Sequence, residues 1–123
     1  MGQVQPERRI ALVVEDDALQ RQSIAMLLQE CEMDVIQCES GEAAELVLEH
    51  VGGCLATLLT DVKLAGTMDG IELAQIARQR FPELRIVVTS ATPRVSRLPD
   101  GTQFIAKPWR PLELLREAHP WQH

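Results

Sequence analysis

The sequence predicts an α/β fold, a five-stranded parallel sheet covered by helices on both faces. Two observations predict it. Short, continuous apolar runs rich in β-branched residues recur along the chain, as strands buried on both faces require. Between most of them the apolar spacing changes to that of a helix, and alternation of strand and helix implies parallel pairing through crossover connections. The 123 residues fit one compact domain.

Residues 1–8 are polar, include Pro6, and read as a flexible N-terminal arm. Ile10-Ala11-Leu12-Val13-Val14 is the first apolar run and the first strand. Ile24, Leu27, Leu28 and Cys31 then follow the i, i+3, i+4, i+7 pattern of one helical face. Val35 and Ile36 lie in a more polar stretch, which suggests a strand nearer the sheet edge. Ala44, Val47, Leu48 and Val51 form a second helical stripe, with Ser40 placed to cap its start. Leu55-Ala56-Thr57-Leu58-Leu59 is the next strand. Asp69, followed three residues later by Glu72, resembles a capping box for a helix carrying Leu73, Ile76, Ala77 and Phe81. Ile86-Val87-Val88 and Phe104-Ile105-Ala106 are the last two strands. Pro111 suits the first turn of a final helix carrying Leu112, Leu115 and Ala118. Residues 91–103 break the alternation. They show no helical stripe, and Pro93 and Pro99 would disrupt a regular helix. The fourth helix is therefore expected to be shortened or missing.

The hydrophobic set makes up 46% of the chain, enough for a sizeable core. A net charge of −6 and a pI near 5.0 argue against nucleic acid or an anionic membrane as a direct partner, since both attract Lys/Arg-rich surfaces. Cys31, Cys38 and Cys54 are odd in number and widely spaced, with no Cys-x-x-Cys pair. They read as small buried or half-buried apolar residues rather than a disulfide framework or a zinc site. Met1-Gly2 invites a check for myristoylation, but Pro6 stands where that motif needs Ser or Thr. No apolar run approaches the length of a signal peptide or a membrane span, so a cytoplasmic location is the expectation.

In open parallel sheets, functional residues gather beyond the carboxyl ends of the strands. Those ends carry Glu15-Asp16-Asp17, Thr60-Asp61, Thr89-Ser90-Ala91 and Lys107-Pro108. If the first and third strands are central neighbours, their carboxylates share one small region, where like charges are unfavourable. A divalent cation relieves that conflict, and hard oxygen donors without His or Cys favour Mg²⁺ over zinc. Asp61 can then act as a nucleophile toward a phosphoryl group, with Lys107 and Ser90 supplying charge and a hydroxyl for its oxygens. Each element alone has a plainer role. The acidic triplet can simply cap the first helix, Asp61 can be a turn former, Ser90 a strand-end hydroxyl and Lys107 a solvated charge. The conjunction of four strand ends carries the case.

Five pieces occur in order: Leu12-Val13-Val14-Glu15-Asp16-Asp17, Leu58-Leu59-Thr60-Asp61, Met68-Asp69-Gly70-Ile71-Glu72-Leu73, Val87-Val88-Thr89-Ser90-Ala91 and Phe104-Ile105-Ala106-Lys107-Pro108-Trp109. Together they resemble the receiver domain of response regulators in two-component signalling, here of the single-domain type. The resemblance implies a flavodoxin-like, doubly wound sheet in the order 2-1-3-4-5. It implies a receiver domain at residues 9–119 with a tail at 120–123 and no effector domain. It further implies that Asp61 is the phosphoacceptor and that Asp16 binds Mg²⁺ directly. Glu15 would act on the metal mostly through water, the backbone carbonyl of Lys63 would complete the metal site, and Asp17 would fall just outside the acidic pair. Ser90 resembles the switch hydroxyl, Lys107 the phosphate-contacting lysine, and Phe104 the aromatic whose rotamer reports phosphorylation, an ordinary core Phe being the plain alternative. The phosphodonor would be a phosphohistidine on a sensor histidine kinase or a histidine phosphotransfer protein, and an output protein would be reached in trans.

Two features depart from that pattern. The stretch from Asp61 to Gly70 is one residue longer than usual, with Gly66 in the customary proline region. Residues 91–103 are too short and too proline-rich for a normal fourth helix, half of the family's usual output face, and read as a loop with at most one helical turn. Two other functions fit part of the sequence. A phosphorylation-independent scaffold fits the altered 91–103 segment. A flavin-binding or hydrolytic enzyme fits the fold class, although Glu15-Asp16-Asp17 would repel a flavin phosphate.

Overall fold

The structure is a computed structural model that describes residues 9–92, 95 and 97–119. The expected arm at 1–8 and tail at 120–123 lie outside the described residues, as does Pro93. Strands β1 (Arg9–Val14), β2 (Met33–Cys38), β3 (Leu55–Asp61), β4 (Arg85–Ser90) and β5 (Gln103–Ala106) form one sheet in the order β2-β1-β3-β4-β5. Every neighbouring pair is parallel. Helices α1 (Ala18–Glu30), α2 (Gly41–Val51), α3 (Gly70–Arg80) and α4 (Pro111–Ala118) complete the fold. The order expected from the resemblance is the one observed, and the polar stretch at Val35 and Ile36 forms the edge strand β2.

The continuous apolar runs are explained by two cores. Successive side chains of a strand point to opposite faces. In β1, Leu12 and Val14 join Leu58, Ile86 and Val88 beneath Ala44 and Leu48 of α2 and Leu73 and Ala77 of α3. Ala11 and Val13 join Leu59, Val87 and Ile105 on the other face, beneath Ile24 and Leu28 of α1 and Leu114 and Ala118 of α4. Burial on both faces removes the polar alternation a one-sided sheet would show.

The caps follow the sequence. Ser40 Oγ accepts from Ala43 N at 3.1 Å, and Asp69 and Glu72 form a reciprocal capping box. Two expectations fail. Leu112 is 70% exposed. Buried Leu114 and Ala118 are one turn apart and set the phase of α4, so Leu112, two residues before Leu114, falls on the far side. Cys54 is also exposed, because it ends the short 3₁₀ turn Gly52–Cys54 on the surface; Cys31 is half-buried and Cys38 buried.

Among the described residues no helix separates β4 from β5. Residues 97–100 of the connection instead lie along α3. Gln75 Nε2 donates to Arg97 O at 2.9 Å, Arg78 Nε donates to Asp100 O at 3.1 Å, and Leu98 packs on the α2/α3 core. Gly101 turns the chain into β5 at a φ of +78°, a conformation that favours glycine.

Candidate functional site

The parallel register aligns the carboxyl ends of four strands. Val14 pairs with Thr60, Asp61 with Thr89, and Ser90 with Ala106. Backbone hydrogen bonds extend this ladder past the strand ends, from Glu15 N to Cys38 O at 3.1 Å, Val62 N to Thr89 O at 2.9 Å and Lys107 N to Ser90 O at 2.8 Å. The main chain at Glu15, Asp61, Ser90 and Lys107 is therefore fixed by a neighbouring strand, whereas Asp16 and Lys63 lie in the loops beyond.

One carboxylate oxygen from each of Glu15, Asp16 and Asp61 lies within 4.8 Å of the others. Glu15 and Asp61 are buried, at 2% and 8% exposure, while Asp16 is exposed. Lys107 enters the cluster from β5. Its Nζ donates to Asp61 Oδ2 at 2.9 Å, to Glu15 Oε1 at 3.1 Å and to Gln20 Oε1 at 2.9 Å. The acidic triplet divides between two places in the structure. Asp17 caps α1, its Oδ1 accepting from Gln20 N at 2.9 Å, while Glu15 and Asp16 face Asp61.

Burial pushes the Glu15 carboxyl above its ordinary range, and the nearby Asp61 charge adds to this. A hydrogen bond from Asp17 N and the Lys107 ammonium offset part of the rise. Burial works against charge on Lys107 too, but hydrogen bonds to Asp61 and Glu15 outweigh it and raise its pKa. Three carboxylates against one ammonium leave two negative charges in excess. That is the electrostatic complement of a hard divalent cation, with oxygen donors only.

Ser90 is buried at the end of β4, one residue beyond the Thr89–Asp61 pair, and its Oγ accepts from Thr92 N at 3.0 Å. Lys63 lies exposed in the loop between β3 and α3. Phe104 is half-buried, opposite Val88 and against the α2/α3 core, rather than in the carboxylate cluster.

Gln20 is the site residue that the sequence did not announce. A polar side chain in a first helical turn ordinarily reads as solvated. Only its place three residues after the cap, on the helix that follows the acidic triplet, hinted at proximity. It also lines a cavity of about 480 Å³ with Ala91, Lys107, Pro108 and Trp109, opening beside Lys107.

Residues 11–119 match the family profile described as response regulator receiver domain. The chain belongs to that family. This receiver domain is 30% identical over 114 residues to the transcriptional regulatory protein AruR of Pseudomonas aeruginosa, with 87% of the chain and 46% of AruR covered. It is 34% identical over 110 residues to a cyclic di-GMP phosphodiesterase of Thermotoga maritima, with 85% of the chain and 28% of that protein covered. The domain thus spans less than half the length of either relative. A receiver protein of Sinorhizobium medicae shares the fold, with a TM-score of 0.85 at 23% identity over 91% of this chain and 92% of that one. The receiver domain of the hybrid histidine kinase CckA superposes with a TM-score of 0.76 at 27% identity, covering 87% of this chain and 93% of that one. The family is one of signalling phosphoacceptors rather than conventional enzymes. Among the described residues no helix is long and apolar enough to cross a membrane.

Proposed function

We propose that this receiver domain accepts a phosphoryl group on Asp61 and thereby switches its interactions with partner proteins. The observation that carries the reading is the convergence of Asp61, Glu15 and Asp16 around the Lys107 ammonium, 2.9 Å from the acceptor carboxylate. The donor is a phosphohistidine of a sensor histidine kinase or phosphotransfer protein, the class of partner that serves this family. An Asp61 carboxylate oxygen forms the new P–O bond as the P–N bond of the donor breaks, and the departing imidazole nitrogen takes up a proton.

The donor set fits Mg²⁺: oxygen donors only, an excess of negative charge, and one exposed member, Asp16, open to a hydrated ion. Asp16 and Asp61 would hold the ion directly, Glu15 through water, and the Lys63 carbonyl from the loop. Mg²⁺ bound there supplies charge neutralisation for the phosphoryl oxygens. Lys107 holds the acceptor in place and offers its ammonium to the incoming group. Ser90 donates its hydroxyl to a phosphoryl oxygen, and Phe104 follows by changing rotamer, which alters the β4–β5 side.

Labelling with a small phosphodonor and Mg²⁺, read as a mass increase on the intact protein, tests the acceptor. Asp61→Asn abolishes incorporation in this reading; full incorporation in that variant rejects it.

A phosphorylation-independent scaffold is the second reading, favoured by the lack of a helix between β4 and β5 among the described residues, with residues 97–100 lying along α3 instead. A partner retained equally by the untreated and beryllofluoride-treated domain would support it.

A further inference from the structure

Glu42 stands apart from the carboxylate cluster, in the first turn of α2, yet it holds the loop that leaves Asp61. Its Oε2 accepts from Thr67 N at 2.9 Å, Thr67 Oγ1 at 2.8 Å and Met68 N at 3.1 Å. Gly66 adopts a φ of +92°, and a Cβ there would stand 2.7 Å from Glu42 Oε1, so the turn is shaped around the carboxylate. Ala65 forms an isolated parallel bridge with Ser40, the cap of α2, and Met68 lies against Gly41. Residues 40–42 thus bind residues 65–68 at consecutive points.

An acidic residue in a first helical turn is ordinarily explained by the helix dipole alone. That explanation needs no partners beyond the helix's own amides, whereas Glu42 adds to its own backbone amide three donors from one distant loop. Glu42 is held well below the usual carboxylate range, at about 2, first by the Thr67 hydroxyl and then by the Thr67 amide. The loop begins at Asp61 and carries Lys63 before it reaches the clasped turn. Extra length and a glycine give such a segment conformational freedom, and the clasp removes it.

We propose that Glu42 is a positioning residue for the acceptor loop, its carboxylate clasping the turn at residues 66–68 to α2 and so setting where Lys63 stands relative to the Asp61 cluster. This rests on the proposed metal-assisted phosphoryl acceptance only in what the positioning serves. Two readouts on wild type, Glu42→Ala and Glu42→Gln separate the two ideas. In metal-free protein, the amide chemical shifts of residues 62–64 move in Glu42→Ala and move less in Glu42→Gln, which keeps one oxygen acceptor. In calorimetric titration with Mg²⁺ alone, Glu42→Ala binds about tenfold more weakly, at the low end of what orienting groups behind metal ligands contribute. Unmoved shifts at residues 62–64 in both variants overturn the clasp. Moved shifts with Mg²⁺ affinity equal to wild type in both variants overturn its positioning role. A wild-type domain that takes up no Mg²⁺ overturns the metal reading itself, and the amide shifts still decide whether the clasp exists.

Discussion

Lys107 Nζ and Asp61 Oδ2 stand 2.9 Å apart although their strands, β5 and β3, are separated in the sheet by β4. The lysine follows the last residue of a four-residue edge strand, spans its neighbour and reaches the central acceptor, with Glu15 beyond it at 3.1 Å. One ammonium therefore ties together the tips of β1, β3 and β5 and partly offsets a surplus of negative charge.

Lys107→Met removes that counter-charge from two buried carboxylates. Breaking a buried pair from one side costs about 3–5 kcal/mol. With the lysine side chain 16% exposed, and with Glu15 able to take up a proton, the expected cost at neutral pH is roughly 1–3 kcal/mol. The Glu15 carboxyl is already shifted upward, so mild acid neutralises it and the penalty shrinks as pH falls. Denaturant melts at neutral and mildly acidic pH check the sign. A penalty that grows on acidification rules this account out.

Asp61→Asn takes one negative charge from the cluster, so the metal-free domain is expected to gain about 0.5–1 kcal/mol from relieved repulsion. The same change removes a ligand. Wild type should be stabilised by Mg²⁺ by about 2.7 kcal/mol at a hundredfold excess over its dissociation constant, and the variant by far less. Thermal melts with and without magnesium chloride measure both effects. An equal magnesium shift in the two proteins sinks the metal assignment.

How much of this was legible depends on which physical effect wrote the residue. β1, β3 and β4 announce themselves because burial on both faces demands apolar side chains at most successive positions. Asp69 and Glu72 are visible because a capping box is local. Leu112 misleads because an eight-residue helix admits two phases, and only Leu114 and Ala118 against the sheet choose between them. Asp16 and Asp17 are indistinguishable in sequence: a small change in the turn after β1 would exchange cap and cluster. The reach of Lys107 across β4 depends on strand order, which local pattern does not encode and the family resemblance did. Gln20 and Glu42 stayed hidden because a polar residue in a first helical turn looks the same whether it meets water or a partner from another element.

Gln20→Ala deletes the third acceptor of the Lys107 ammonium without touching a carboxylate. Stability should fall by only about 0.5–1.5 kcal/mol, the net worth of one hydrogen bond. Affinity for Mg²⁺ should stay unchanged, while the rate of phosphodonor labelling shifts because the lysine is less well held. Paired titrations and labelling time courses separate the two. A large loss of magnesium affinity would show that Gln20 shapes the carboxylates instead.

Glu42 predicts an acid-side signature. A carboxyl whose folded pKa is depressed contributes stability above its ordinary value of 4.5, and that contribution is lost as pH falls toward about 2. Glu42→Gln should therefore be less stable than wild type at neutral pH, with the gap closing through this window. Melting curves of both proteins across the acid range give the answer. A gap that persists below the window means that the hydrogen bonds were not those of the ionised carboxylate.

Gly70 opens α3 against the end of β3. Its amide donates to Val62 O at 2.8 Å, and a Cβ at this position would land on the Asp61 carbonyl oxygen and stand 3.0 Å from Val62 Cα. Both obstacles are main chain, so no side chain can swing away. Gly70→Ala must displace either the helix or the acceptor strand, at a cost of about 1–3 kcal/mol or more. Gly53 is the control, because a Cβ there meets nothing within 4 Å and its φ lies outside the left-handed region. Gly53→Ala should be neutral or slightly stabilising through the unfolded chain. If Asp61 is positioned by this contact, Gly70→Ala loses phosphodonor labelling beyond what its fraction unfolded explains, while Gly53→Ala labels like wild type. Equal labelling in the two folded variants would mean that the approach of α3 to β3 serves packing alone, and that the ladder from Thr89 suffices to hold the acceptor.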